Sequence, residues 1–385
     1  MASSNDRTIV GRDIATGRGI SVALSHGRIS AIGPAEAPSA PWLAAGLIDL
    51  QVNGYRGLDF NDGALTPDRV IELTRMMPPL GVTTFLPTLI TASRASLVSA
   101  LAAIAQARRQ DPLCARMIPF VHVEGPWLAP EDGPRGGHPR EHIRSPDTDE
   151  LAEWQRASGN LVGKITLSPH HDGVEHFVRA LAEQQILVAI GHTSATAEQI
   201  RAAVSAGARL STHLGNGSAA TLPRHPNFIW AQLADDRLDA GFITDGFHLP
   251  ADTFKAMLRA KGLERSYLVS DKTALGGMPP GIYDQPIGGR VEVGHDGRLS
   301  VMGTPYLAGA SRPLKQDVAL AIGMAGLTLA EGVQLATVNP GKFVGNRGHL
   351  AVGEVADLML FDWEEGAETL AIRETFVAGE KWSAD

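Results

Sequence analysis

Between Gly46 and Ala274 the chain repeats one pattern eight times: a short apolar run followed, in most repeats, by a stretch with helical periodicity. The runs are GLIDLQVNG (46–54), TTFLPTLI (83–90), IPFVHVEG (118–125), VGKITLSP (162–169), ILVAIGHT (186–193), LSTHLGN (210–216), LDAGFITDG (238–246) and YLVSDKTA (267–274). Between them, DRVIELTRMM, ASLVSALAAIAQARR, TAEQIRAAVSAG and ADTFKAMLRAKG place apolar residues three and four apart, the signature of an amphipathic helix. Alternating strands and helices imply parallel strands, because the chain must cross back before each new strand begins. Eight such units over roughly 250 residues predict an α/β chain, a TIM-type (β/α)8 barrel rather than a doubly wound sheet. No G-x-G-x-x-G follows the first run, so a dinucleotide site lacks its main support.

The two flanks read differently. RTIVGRDIATG and GISVALSHGRISAIG at the start, and DLMLFD (357–362) and ETFVAGEKW (374–382) at the end, are short strands separated by turns. Two all-β ends around an α/β middle predict one small β-sandwich domain assembled from residues 1–45 and 349–385, with the barrel spanning 46–348.

Composition excludes several function classes. With 44% hydrophobic residues, the chain can fill a full-sized core. A net charge of -8 argues against a nucleic-acid partner, which needs a basic stripe. No apolar run approaches the roughly 20 residues that span a bilayer, so no membrane partner is expected. The start MASSNDRTIV lacks the basic and apolar regions of a signal peptide, and a cytoplasmic location is expected. Cys114 is the only cysteine, so any metal must be held by His, Asp or Glu.

Each barrel run turns polar at its C-terminal end: His122 and Glu124 in the third, His192 in the fifth, His213 in the sixth, Asp245 in the seventh, Asp271 in the eighth. Barrel active sites form on that face, so these side chains are expected to converge. Glu124, His192 and His213 form a His2Glu set suited to one divalent ion with a position left open. One histidine at a strand end is usually an ordinary hydrogen-bonded residue, whereas three candidate ligands at three strand ends form a constellation. Asp271 is the candidate general base, able to take a proton from water and pass it to a leaving amine. Its structural alternative is a helix N-cap after the eighth strand. His138 in GGHPR and His248 in TDGFH are candidate substrate contacts, and each alone also reads as a loop histidine. Arg224 in LPRHP could pair with phosphate, although its spacing alone fits a solvated loop cation. Lys164 reads as structural, because Glu124 already supplies the carboxylate.

With those positions placed, the sequence resembles the N-acetylglucosamine-6-phosphate deacetylases of the amidohydrolase superfamily over nearly its whole length. The resemblance rests on GLIDLQVNG, HVEGPWL (122–128), GHT (191–193), THLGN (212–216), TDGFH (244–248), Ser270–Asp271, GGMPPGIY (276–283), LAG (307–309), ATVNP (336–340) and GHLAVGEVADL (348–358). It implies Glu124, His192 and His213 as metal ligands and Asp271 as the catalytic aspartate. It further implies His138 near the acetamide, and His248, Asn216 and the Gly217 backbone around the sugar phosphate. Arg224 stands where the family carries a phosphate-binding arginine offered across a dimer interface, which implies a homodimer. Gln51 and Asn53 replace the H-x-H of two-metal relatives. The resemblance therefore implies one divalent ion per subunit, zinc first, with iron, manganese or cobalt fitting the same set. Gln51 is a candidate substrate contact.

The implied reaction is hydrolysis of N-acetylglucosamine 6-phosphate to glucosamine 6-phosphate and acetate. N-acetylgalactosamine 6-phosphate or an unphosphorylated N-acetylhexosamine is the alternative, because the family pattern is broken at HLGNGS (213–218), Pro169-His170-His171 and Lys272. A cyclic-amide hydrolase conflicts with the missing H-x-H and with GGMPPGIY. A non-catalytic barrel conflicts with the intact ligands and aspartate.

Overall fold

The computed structural model describes residues 6–286, 288–304 and 306–383, with the side chain of Ser383 outside the description. Its centre is one sheet of eight parallel strands: Leu47–Val52, Val82–Ile90, Val121–Glu124, Val162–Leu167, Leu187–Ile190, Leu210–Ser211, Asp239–Phe242 and Ser266–Leu268. Each lies within or overlaps one of the eight apolar runs, and neighbours in sequence are neighbours in the sheet. The predicted helices form as Pro67–Arg75, Arg94–Gln110, Ala197–Ala206 and Ala251–Lys261. The first three starts are set by side chains that accept the orphan first-turn N–H groups: Thr66, Ser93 and Thr196, the last in a reciprocal capping box with Gln199.

The barrel closes where the first and eighth strands run out. The Asp271 N–H donates to the Gln51 carbonyl at 3.0 Å, and the N–H groups of Asn53 and Gly54 donate to the Lys272 carbonyl at 3.0 and 3.1 Å. At the opposite end, the Leu335 and Ala336 carbonyls take the N–H groups of Leu268 and Ile48, both at 2.8 Å. The gap between the two edge strands is thus bridged without a continuous ladder, and no buried N–H of these positions is left orphaned. Ile48, Leu50, Leu86, Ala189, Leu210, Ile243 and Val269 form an apolar cluster among the strands, while a larger cluster fills the space between strands and helices.

The chain ends form the small β-unit. Seven strands join in one sheet, ordered Glu380–Ser383, Ala371–Val377, Leu358–Asp362, Trp42–Ala45, Arg7–Asp13, Gly19–Ser25, Arg28–Pro34. All pairings are antiparallel except that of Arg7–Asp13 with Trp42–Ala45. The sheet bends back on itself: Ile29 exchanges backbone hydrogen bonds with Glu354 and Gly353, beside the segment leading into Leu358–Asp362. Ile9, Val22, Leu24, Ile29, Leu43, Leu358 and Phe376 are buried together inside this bend.

The C-terminal face carries a further sheet that the sequence pattern does not announce. After the eighth strand, Gly281–Gln285, Gly289–Val293 and Leu299–Val301 form a three-stranded antiparallel sheet with its own core of Val291, Val293, Leu299 and Ala308. Its insertion point, between the eighth strand and the helix Leu314–Ala325, places it on the barrel's C-terminal face.

Candidate active site

Three of the four central residues sit just beyond their strands rather than within them. His192 follows Leu187–Ile190, His213 follows Leu210–Ser211, and Asp271 follows Ser266–Leu268, whereas Glu124 ends Val121–Glu124. His192, His213 and Asp271 have φ of 49°, 27° and 48°, in the left-handed region. Such a conformation costs a non-glycine residue about 1–3 kcal/mol and persists only where its surroundings over-determine it. It ends each strand early and turns the side chain into the barrel mouth. No helix begins at Asp271, so the N-cap alternative does not apply.

Glu124, His192 and His213 meet. Glu124 Oε1 lies 3.1 Å from His213 Nε2 and 3.5 Å from His192 Nε2, and the two Nε2 atoms are 3.1 Å apart. A tetrahedral ion with bonds of about 2.0–2.2 Å spaces its ligands roughly 3.3–3.6 Å apart, close to this triangle. The chemistry of the donors agrees. His192 Nδ1 is 2.8 Å from the Pro134 carbonyl, which can only accept, so its hydrogen sits there and Nε2 offers a lone pair. All three residues are buried, and together they form a candidate metal-holding group. The Nε2 lone pair of His192 and the Glu124 carboxylate point at one spot, an arrangement that a cation between them stabilises.

The neutral amides of the first strand hold this arrangement. Gln51 Nε2 donates to both oxygens of Glu124, each at 3.1 Å. That commits the amide nitrogen of Gln51 to the carboxylate, while its Oε1 has no hydrogen-bond partner among the described residues. Asn53 Nδ2 donates to Asp271 Oδ1 at 2.8 Å. Asp271 is partly accessible, and burial first, then the Glu124 charge, pushes its carboxyl up to about 6.

His138 stands beside the triad, its Nε2 3.3 Å from His192 Nε2 and 3.9 Å from Glu124 Oε2. The Thr91 N–H donates to its Nδ1 at 3.4 Å and Thr91 Oγ1 lies 3.0 Å from the same atom; with Nδ1 accepting, the ring hydrogen sits on Nε2. Burial pushes this imidazole down to about 3, so at neutral pH it is an uncharged donor facing the site.

Comparisons with known proteins identify the family. Residues 42–381 match the amidohydrolase family model. The chain is 31% identical over 353 residues to N-acetylglucosamine-6-phosphate deacetylase of Bos taurus, covering 88% of this chain and 82% of the relative. The chain is an amidohydrolase of the N-acetylglucosamine-6-phosphate deacetylase family. It is also 31% identical over 338 residues to N-acetylgalactosamine-6-phosphate deacetylase of Escherichia coli O157:H7, covering 85% of each. A solved N-acetyl-D-glucosamine-6-phosphate deacetylase from Mycobacterium smegmatis, in complex with N-acetyl-D-glucosamine-6-phosphate, superposes with a TM-score of 0.87 at 28% identity, covering 98% of this chain and 99% of that one.

The remaining candidates of this amidohydrolase are distributed around the mouth. His248 Nδ1 is 2.7 Å from Asp245 Oδ2, which orients the ring with Nε2 free. Asn216 Nδ2 donates to the His213 carbonyl at 3.3 Å. Gly217 has φ of +56°, and a Cβ there would stand 2.6 Å from His192 Nδ1, so its backbone lies against the ring of a candidate ligand. Arg224 is not brought to the centre: it is exposed and has no hydrogen bond or ion pair among the described residues. Lys164 is buried and donates to the Leu50 carbonyl at 3.3 Å. His122 bonds Thr88 and Thr166 through its two nitrogens and does not face the triad's shared point.

Sequence reasoning missed Asn53 as the partner of Asp271 and Thr91 as the partner of His138. The signal for Asn53 was present in its place within Q-V-N; nothing local marks Thr91, whose partner is 47 residues away.

Proposed function

We propose that this amidohydrolase hydrolyses the acetamide of an N-acetylated amino sugar phosphate, N-acetylglucosamine 6-phosphate first, to the free amine and acetate. The observation that carries this reading is the convergence of Glu124, His192 and His213 within hydrogen-bond range of one another, beside the Nε2–H of His138. The family membership and the deacetylase relatives support the same substrate class.

Glu124, His192 and His213 would hold one divalent ion, zinc by preference, because two imidazoles and a carboxylate suit it; iron, manganese and cobalt fit the same donors. When bound, such an ion supplies electrostatic activation of water and of the acetamide carbonyl. Asp271, oriented by Asn53, accepts the proton of the attacking water and returns it to the nitrogen as the C–N bond breaks. An amine leaves poorly unless protonated, so this second transfer is as necessary as the first. The Nε2–H of His138 faces the carbonyl oxygen and stabilises the negative charge it gains. Gln51 keeps Glu124 aligned. His248, Asn216 and the Gly217 backbone border the sugar phosphate.

Arg224 reaches the phosphate from a second copy of the chain in a homodimer. Its exposure and lack of an intramolecular partner support that assignment. Among the described residues no helix is long and apolar enough to cross a membrane.

The test is acetate release from N-acetylglucosamine 6-phosphate, N-acetylgalactosamine 6-phosphate and N-acetylglucosamine, with metal content measured on the same preparation. Turnover of the first at the highest kcat/KM is expected. No turnover of any of the three by metal-loaded protein would refute the reading, and a preference for the galacto sugar would reassign the substrate. In the same assay, Arg224→Ala should raise KM for a phosphorylated sugar at least about ten-fold while leaving the unphosphorylated sugar unaffected. An unchanged KM would place phosphate binding elsewhere.

A further inference from the structure

Beneath Asp271 lies an ion pair that the chemistry above does not use. Asp49 on the first strand and Lys272 beyond the eighth are fully buried, with Lys272 Nζ 3.5 Å from Asp49 Oδ2. The Asp49 carboxylate also gathers the residue on the other side of Asp271. It accepts from Ser270 Oγ at 2.5 Å and from the Ser270 N–H at 3.1 Å, and Lys272 Nζ stands 3.5 Å from that same Ser270 Oγ. It accepts in addition from the N–H of Gln51 at 3.4 Å, the residue whose carbonyl receives the Asp271 N–H.

We propose that Asp49 and Lys272 are positioning residues for Asp271: they clamp both of its chain neighbours and so hold its left-handed backbone and its carboxylate in place for proton transfer. This rests on the reading of Asp271 as the proton carrier. The physical argument has two parts. A left-handed aspartate in the middle of Ser-Asp-Lys relaxes unless its neighbours are pinned, and here Ser270 and Lys272 are pinned to one carboxylate. That carboxyl group accepts from the N–H groups of Ser270 and Gln51 at once, and at zero exposure it lies against the Lys272 ammonium group, as a buried charge pair requires. The Lys272 carbonyl also receives the N–H of Asn53, whose side chain donates to Asp271, so the pair touches every group that orients the aspartate.

The test replaces Lys272 with an apolar residue of similar volume and reads kcat, KM and metal content separately. Lys272→Met should lower kcat about ten-fold or more with KM and metal content unchanged, the range expected when an outer-shell partner is lost. In an Asp271→Asn background the same change should cost nothing further, because the residue it positions no longer works. A purely structural role predicts the opposite, an additive loss in both backgrounds with falling metal content, and that result overturns the proposal. If Lys272→Met does not fold, the pair Asp49→Asn with Lys272→Met removes both buried charges together, and the same kcat loss and the same non-additivity are expected. Wild-type kcat in either folded variant also overturns the proposal. Normal turnover by Asp271→Asn alone would instead overturn the role of Asp271, so the two failures are distinguishable.

Discussion

The amide of Asn53 donates to the carboxylate of Asp271 at 2.8 Å, across 218 residues of sequence. The bond fixes which oxygen of Asp271 is free to take a proton, and it favours the ionised form that can do so. Asn53→Ala should therefore lower kcat about ten-fold with metal content unchanged. It should also move the acid limb of the pH–rate profile upward, since a group that stabilises the charged carboxylate is gone. Steady-state kinetics between pH 5 and 9 at fixed metal concentration check both.

The pH dependence of the native enzyme has a definite sign. Asp271 must be ionised to act, and burial with the nearby Glu124 charge puts its carboxyl at about 6 before a cation is added. A bound cation favours the ionised form and lowers that value. Activity should thus fall as pH drops through an apparent value at or below about 6, as a single-proton limb in kcat/KM. A limb centred well above 6 in the metal-loaded enzyme would assign the titration to another group.

Gly217 is tied to metal binding by contact rather than by charge. Its would-be Cβ sits 2.6 Å from Nδ1 and 2.9 Å from Cε1 of His192, a ring that the Pro134 carbonyl and the triad already hold on both sides. Gly217→Ala must displace the ring or the loop, and its φ of +56° adds backbone strain. Metal affinity should fall about 10–100-fold, measured by competition with a chromophoric chelator.

Asp59 gives a prediction about stability alone. Burial raises its carboxyl from 3.8 to about 6, and one of its oxygens has no partner. Its folded pKa lies above the unfolded one, so the folded state binds the proton more tightly. The group therefore costs stability as pH rises from about 4 to about 6, and the full cost is present above that. Asp59→Asn should raise stability at pH 7.5 by roughly 1–3 kcal/mol and change it little at pH 4. Denaturant unfolding at the two pH values checks this, and an equal effect at both would mean that the charge is not the cause.

The order of elements along this chain was legible without coordinates. Eight apolar runs separated by helical periodicity imply a barrel, because parallel strands need covered crossovers, and the C-terminal ends of those runs already carry Glu124, His192, His213 and Asp271. The three-stranded insertion after Asp271 was missed because GIYDQ and GRVEV follow turn-rich sequence whose alternation has no partner until the strands pair. Bonds between distant residues were equally invisible. That Gln51 serves Glu124 while Asn53 serves Asp271 depends on which strand ends face each other once the barrel closes. The sequence alone therefore determined which residues are available at the barrel mouth. Only the tertiary structure decided their division of labour: left-handed turns at His192, His213 and Asp271 aim the side chains, and the buried pair of Asp49 and Lys272 exists only where the first and eighth strands meet. The physical reason is that a hydrogen bond or ion pair has a range of a few ångströms, and no local pattern reports which chain segments will come that close.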